Sequence, residues 1–458
     1  MKIVVCIRQG LDGEINPFDA CAYEAALSVD GAEITLLSMA PERSGELLLS
    51  LTRLGARGAV LLSDKAFAGA DTLATAYTLS KAIEKLSPDY VFCGRQTLIG
   101  DTAQTPPMLA EMLGFGIITN VMKIKSISDD AIVCDTRLDG IVSLPSKALV
   151  TVERINTLRL PKLRSKVSEL VIWSAEDIGA DVARCGLLGS PTRVLATYEN
   201  QSGKRKCKFI TKDELDEVVK KAADECYTRS TDTGNGTKEM LRGVVVVGED
   251  ALLLARTVSD DITVIGLESV DALVKMIEEK RPSAVLFGSD AVSKRTSAAL
   301  AARLSLGLCA DLTALECDNG ELIMYRPALS GSIIAKIKSL TSPALATVRG
   351  ESRAENKIVI GVGFGVKDKL GDVEMLAKKY GAAVMSSRKL VDNDYMPYEK
   401  QVGLTGTSIS PPVYIAIGIS GAVHHIAGIE RSGTVIAINP DKNAPIFEYA
   451  DYGIVDEF

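Results

Sequence analysis

Tyr90-Val91-Phe92-Cys93-Gly94 reads as a strand that is apolar on both faces and stops at a glycine. A strand of that kind belongs inside a parallel sheet covered by helices on both sides, not in a sheet with one wet face. Runs of the same sort return at Ile3 to Ile7, Ile34 to Met39, Ala59 to Leu62, Val244 to Val247, Ile262 to Gly266 and Ala284 to Gly288. Helical patterns separate them, so the fold class is α/β with doubly wound parallel sheets.

Two of these runs expose a duplication. Tyr90 to Gly94 precedes a polar loop and Leu109-Ala110-Glu111-Met112-Leu113-Gly114, while Ala284 to Gly288 precedes one and Leu300-Ala301-Ala302-Arg303-Leu304. Further on, Leu144-Pro145-Ser146-Lys147-Ala148-Leu149-Val150-Thr151-Val152 is echoed by Leu340-Thr341-Ser342-Pro343-Ala344-Leu345-Ala346-Thr347-Val348. Two versions of one domain are joined in one chain. Thr211 with Glu214 predicts a capping box for a helix whose apolar face is Leu215, Val218, Val219, Ala222 and Cys226. That helix runs into the polar stretch Ser230 to Thr237, which reads as the linker. A second boundary falls near Gly350, before a strand over Lys357 to Ile360.

At 458 residues the chain exceeds the size at which one core keeps growing, which predicts three domains. Hydrophobic content of 47% with 24% charge is ordinary for globular protein. The net charge of −7, without a long basic run, argues against nucleic acid or an anionic membrane as partner. Nine cysteines without a C-x-x-C pair read as reduced thiols in a cytosol, not as a disulfide framework, a zinc site or an iron–sulfur cluster. The start at Lys2 to Ile7 shows neither a signal core nor a transit segment, and no stretch is long and apolar enough to span a bilayer, so a cytoplasmic location is expected.

The last hundred or so residues concentrate the chemistry. Gly361-Val362-Gly363-Phe364-Gly365, Ser386-Ser387-Arg388, Gln401 to Gly406, Gly418 to His425 and Ala450-Asp451-Tyr452-Gly453 join glycine, hydroxyl, cation and imidazole, each just after a short apolar run. An open α/β sheet holds a dinucleotide at such places. A nicotinamide site wants an acid about twenty residues past the glycines; Ser387 and Arg388 stand there instead, which leaves an NADP-type reading. Thr405 is either a turn residue or a hydroxyl for a flavin ring nitrogen. Arg388 is either a solvated charge or a group that stabilises a reduced flavin and raises its potential. His424 and His425 are the two histidines of the chain; neighbours on a helix diverge, which argues against a shared metal.

These blocks together resemble an electron-transfer flavoprotein whose β and α subunits are fused in one polypeptide. The residues that carry the likeness are Asn16-Pro17-Phe18-Asp19, Gly94-Arg95-Gln96 and Gly100 to Gln104 in the β-like half. In the α-like half they are Tyr325-Arg326-Pro327-Ala328, Gln401 to Gly406, Gly418 to His425, Ala444-Pro445-Ile446-Phe447 and Ala450 to Gly453. The resemblance implies a β-like domain with arm and linker over 1–235, an α N-terminal domain over 241–350 and an FAD-binding domain over 351–458.

It further implies FAD contacts from Gly363, Phe364, Gly365, Ser387, Arg388, Gln401, Val402, Gly403, Leu404, Thr405, Ser420, Gly421, Ala422, Val423, His424, His425, Asn439 and Asp451. His425 is the implied flavin ligand, and His424 stands where the family has glutamine. For Asp451 a structural role in a loop or helix cap stays open beside a cofactor contact. A second nucleotide, AMP or a second FAD, is implied at Cys6, Asn16, Pro17, Phe18, Asp19, Met39, Asp101, Thr102, Ala103, Gln104 and Thr105. The wording of 66–75 and 100–104 is similar to the electron-bifurcating type, which takes hydride from NADH. Pro106 and Pro107 depart from it by removing two backbone donors.

Phe364 and Leu404 also depart, replacing an arginine and a glutamine of the family. The segment Pro161 to Trp173 is short and lacks the family's lysine-rich run, which bears on docking to an acyl-CoA dehydrogenase-type flavoprotein. The resulting expectation is a redox carrier passing electrons from such a dehydrogenase or NADH to a redox partner, with a flavin domain that reorients about Gly350. A non-redox adenine-nucleotide-binding regulatory protein and an NADP-linked flavin reductase are the alternatives.

Overall fold

Ile3 pairs with Tyr90, Val4 with Val91 and Val5 with Phe92, so the opening run and the run at Tyr90 are parallel neighbours in one mostly parallel sheet. The structure, a computed structural model, describes residues 1–10, 12–97, 100, 102–153, 156–199, 204–224, 240–329, 333–349, 356–403 and 406–458. It divides into two units. One holds Met1–Thr197, Glu239–Leu329 and Ala335–Val348, and the other Tyr198–Lys238, Ser330–Ile334 and Arg349–Phe458.

In the first unit the chain runs β1 (Lys2–Cys6), α1 (Pro17–Leu27), β2 (Glu33–Met39), α2 (Gly45–Thr52), β3 (Gly58–Leu62), α3 (Thr72–Leu86) and β4 (Tyr90–Gly94). It continues through α4 (Thr105–Leu113), β5 (Gly116–Ile127), β6 (Ala131–Thr136), β7 (Gly140–Pro145), β8 (Ala148–Val152) and β9 (Glu169–Trp173). These strands make one sheet in the order β7-β6-β5-β8-β4-β1-β2-β3-β9, whose β5–β6 and β6–β7 pairs are antiparallel. The chain enters at β1, moves outward through β2 and β3, then returns to β4 on the other side. The direction of winding therefore reverses between β1 and β4.

After β10 (Thr192–Glu199), β11 (Lys208–Phe209) and α5 (Leu215–Asp224), the first unit resumes with a second, smaller version of the same plan. It uses β12 (Val244–Val247), α6 (Leu252–Ala255), β13 (Ile262–Ile265), α7 (Val270–Lys280), β14 (Ala284–Phe287), α8 (Ala291–Leu304) and β15 (Leu308–Leu312). Next come β16 (Ala314–Asp318), β17 (Glu321–Ala328), β18 (Ile333–Ser339) and β19 (Ala344–Val348). The order β13-β12-β14-β19-β15 repeats β2-β1-β4-β8-β5 strand for strand. Even the irregularities recur. β5 slips register after Ile118, where Asn120 has φ 59 and its N–H reaches Thr151 Oγ1 at 3.0 Å. β15 slips after Cys309, where Asp311 has φ 54 and its N–H reaches Thr347 Oγ1 at 2.9 Å. A bulge needs a residue near the left-handed region, and a short polar side chain tolerates it best.

The two versions bury their helices together. Leu109 of α4 and Ala298, Leu300 and Ala301 of α8 share one core with Val91, Leu149, Val245 and Phe287. At the rim of that contact Arg303 lies between Glu111 and Asp271.

The second unit contains β20 (Ile358–Val362), α9 (Leu370–Tyr380), β21 (Ala383–Ser386), α10 (Arg388–Val391), β22 (Val413–Ile417), α11 (Val423–Ile426), β23 (Thr434–Ile438) and β24 (Tyr452–Ile454). Its parallel sheet runs β11-β24-β23-β22-β20-β21. Here the winding reverses between β20 and β22. The capping box at Thr211 and Glu214 forms, and α5 buries Leu215, Val219 and Ala222 against Ile360, Val362 and Ile415. So the arm before the linker packs with the C-terminal domain, with β11 paired to β24. Cys226, the linker at 230–237 and Gly350 lie outside the described residues.

Candidate functional site

In each unit ligand-binding groups gather at the carboxyl ends of strands flanking a winding reversal, where loops diverge and leave a crevice.

In the first unit the crevice is a cavity of about 280 Å³ between the ends of β1 and β4. Cys6, Asp19, Met39, Thr102, Ala103, Gln104 and Thr105 line it. Asn16, Pro17 and Phe18 do not; they hold the loop that forms the wall. Asn16 donates through Nδ2 to Gln96 O at 3.0 Å, and buried Phe18 carries the Arg95 guanidinium 5.6 Å above its ring. Asp101 lies outside the described residues.

Asp19 sits at the floor. Its carboxylate accepts the backbone N–H groups of Arg8 (2.8 Å) and Gly94 (3.2 Å), thereby tying β1 to β4. Burial outweighs those bonds and pushes its pKa up to about 7. Beside it the neighbouring Cys6 on β1, together with burial, holds the Cys93 thiol well above the ordinary thiol value. On the opposite wall Gln104 is 1% exposed; its Oε1 accepts from Thr72 Oγ1 at 3.1 Å, but its Nε2 has no partner. Ala103 next to it holds φ 53, a conformation non-glycine residues adopt only where surroundings enforce it. Pro106 and Pro107 occupy the first turn of α4, where proline is tolerated but donates nothing. Arg8, Ser38, Asp71, Thr75 and Arg326 are among the other lining residues. Sequence spacing could not supply Arg326, because it comes from β17 of the second repeat.

In the second unit Gly363 follows β20 and Gly418 follows β22. A Cβ on Gly363 would lie 1.9 Å from Gly418 O, so the two loops meet at a distance only glycine permits. Gly365 comes next on the exposed side of this turn. Ser387 and Arg388 follow β21, and Val402 N–H bonds Ser386 O at 2.9 Å, which brings Gln401, Val402 and Gly403 to the same edge. Ser420, Gly421, Ala422, Val423, His424 and His425 follow β22, and Asn439 follows β23. Asn439 donates through Nδ2 to Ile419 O at 2.9 Å and pins that loop. Leu404 and Thr405 lie outside the described residues.

The two histidines do diverge: His424 is exposed and His425 is buried. His425 Nε2 stands 2.8 Å from the Tyr414 hydroxyl, while Nδ1 makes no hydrogen bond of good geometry. Burial pulls its pKa down to about 4, against a smaller opposing effect of the Val402 carbonyl, so the ring is neutral at pH 7. Arg388 Nε donates to Asp392 at 3.1 Å along its own helix. Phe364 does not leave its turn without cations, because Lys389 and Lys367 stand 4.3 and 5.1 Å from its ring centre.

Asp451 belongs elsewhere. It precedes β24, and its Oδ2 accepts the N–H of Val435 (2.8 Å) at the start of β23, together with the guanidinium of buried Arg205. That is the amino-end edge of the sheet, opposite to Gly363 and Asn439. Of the two readings open for Asp451 the structural one fits its position: a buried guanidinium needs a carboxylate.

Residues 3–177 and 263–361 match the electron transfer flavoprotein domain. The chain belongs to the electron transfer flavoprotein family. Residues 353–430 match the electron transfer flavoprotein FAD-binding domain, which spans every loop of the second crevice except Asn439. Among curated relatives, protein FixA of Bradyrhizobium diazoefficiens is 41% identical over 211 residues, 42% of this chain and 73% of that protein. Electron transfer flavoprotein subunit beta of Thermoanaerobacterium thermosaccharolyticum is 41% identical over 202 residues, 42% of this chain and 78% of its own. Electron transfer flavoprotein subunit alpha of Bacillus subtilis is 35% identical over 224 residues, 40% of this chain and 69% of its own. Relatives of both subunit types, covering different parts, are what a fused electron transfer flavoprotein yields. Among the described residues no helix is long and apolar enough to cross a membrane, and no cluster of histidine, cysteine or carboxylate could hold a metal ion.

Proposed function

We propose that this electron transfer flavoprotein holds FAD at the glycine-lined edge of the C-terminal sheet and an adenine nucleotide, AMP or a second FAD, in the cavity between β1 and β4. The observation that carries the first assignment is the contact of Gly363 with Gly418 at the winding reversal, within the segment that matches the FAD-binding domain. Backbone that close together presents N–H groups to a pyrophosphate without side chains in the way. FAD supplies the redox chemistry when bound.

The chain's own residues bind and tune. Neutral His425, fixed by Tyr414, offers a hydrogen bond without adding charge. Lys367, Lys389 and Arg388 place positive charge around the first two loops, which favours an anionic ligand and a raised potential. Asn439 and Ser420 shape the remaining wall. Electrons arrive from an acyl-CoA dehydrogenase-type flavoprotein or from NADH and leave to another redox partner; NADH oxidation with bifurcation requires a flavin in both crevices.

The test is the flavin content of purified, reconstituted protein. Yellow protein with one FAD per chain and one AMP supports the plain carrier, and two FAD per chain supports the bifurcating type. Protein that stays colourless and binds no FAD eliminates both in favour of a nucleotide-binding regulator. NADPH alone bleaching the flavin at a catalytic rate would instead make it a reductase.

A further inference from the structure

Arg326 is 8% exposed and lines the cavity between β1 and β4, yet it pairs with no carboxylate among the described residues. Its hydrogen bonds go to two carbonyl oxygens, Gly100 (2.8 Å from Nη2) and Pro327 (3.2 Å from Nε). A guanidinium stays charged when buried, and burying it without an anion is unfavourable. On the same cavity Gln104 presents a buried Nε2 that has no acceptor. A buried guanidinium with no carboxylate partner and a buried amide nitrogen with no acceptor among the described residues, both on one cavity, describe a seat for an anion.

The usual seat for an anion is closed here. The amino end of α3 is capped by Asp71, whose carboxylate takes the N–H groups of Leu73 and Ala74. The first turn of α4 begins Thr105-Pro106-Pro107 and so offers few donors. Positive charge must come from side chains: of the two arginines on the cavity Arg8 is exposed, and buried Arg326 is the cation that the second repeat sends into the first repeat's crevice.

We infer that Arg326, with Gln104, holds the phosphate of the nucleotide in this cavity, so that the site is complete only when both repeats contribute to it. This rests on the nucleotide reading of the cavity. Arg326 is a specificity residue: it selects nucleoside phosphates over nucleosides. The adenine and ribose are left to the strand ends around Asp19 and Met39.

The experiment is calorimetric titration of full-length protein, freed of nucleotide, with AMP and with adenosine. Arg326→Gln is expected to weaken AMP about 30-fold while adenosine stays within about twofold of wild type. Arg326→Lys should recover only part of that loss, because an ammonium lacks the planar fork. Equal AMP affinity in wild type and Arg326→Gln overturns the assignment and leaves the nucleotide site standing; equal losses for AMP and adenosine overturn it too, making Arg326 a wall support. Wild type that binds neither compound removes the nucleotide reading itself. Should Arg326→Gln not fold, Gln104→Leu decides: an AMP-selective loss of about tenfold supports the assignment, and none overturns it.

Discussion

The first unit contains the same sheet plan twice, and the winding reversal of the first copy opens on a cavity that holds the partnerless Gln104 Nε2 and the cation Arg326. In that copy β4 leads through 95–104 before α4 begins, and the helix start carries Gln104, Pro106 and Pro107 instead of an acid. In the second copy β14 leads through 288–290 straight into α8, and Asp290 accepts the N–H groups of Val292 and Ser293. The second copy has thus placed its own carboxylate where a phosphate would go. Topology sets where a crevice can open, and one short loop with its capping residue sets whether anything can bind there.

The largest effect that tests this contrast concerns the carboxylates under the two crevices. Asp19 titrates near pH 7 when folded, above its value of 3.8 in a model peptide. Between those values the folded form holds a proton that the unfolded chain has released, so stability is present at low pH and is lost as pH rises through about 7. The nucleotide-free protein should lose on the order of 4 kcal/mol across that window, read from urea midpoints, and Asp19→Asn should flatten the slope. Asp250, beside Gly288 under the second crevice, is exposed instead of buried.

A smaller effect separates the glycines that end β4 and β14. A Cβ on Gly94 would fall 2.7 Å from backbone of Phe18 and Asp19, whereas on Gly288 it meets the end of the Asp250 side chain at 2.8 Å. Gly94→Ala should cost about 2 kcal/mol and close the cavity to AMP, and Gly288→Ala less than about 1 kcal/mol. Equal costs would mean that the two crevices are packed alike. Smallest is the cap: Asp290→Ala should destabilise by about 1 kcal/mol without touching AMP affinity. Gln104→Asp, which copies the second repeat's acid into the first, should weaken AMP about tenfold.

Much of this was legible in the chain. The apolar runs, their spacing and the echo of Leu144 to Val152 in Leu340 to Val348 give the α/β class and the duplication, because strands buried on both faces allow little but Val, Ile and Leu. The capping box at Thr211 and the glycine clusters after β20 and β22 are local patterns with local causes, and they appear where expected. Asp451 shows the limit: it shares a motif with the cofactor loops but stands at a strand's start, and only the direction of β24 sends it to the opposite edge. His425 shows another, since burial against Tyr414 makes it a neutral ring, which no neighbour in sequence reveals.

By itself, then, the sequence determines the strands, the repeat and the family, since these follow from side-chain periodicity and glycine placement along the chain. What the tertiary structure alone decides is which charges meet: Arg326 in the first repeat's crevice, Arg205 under Asp451, and the arm of α5 packed on the C-terminal sheet. Electrostatic and packing energies depend on distance in space, and residues hundreds of positions apart become neighbours only once the sheets are formed.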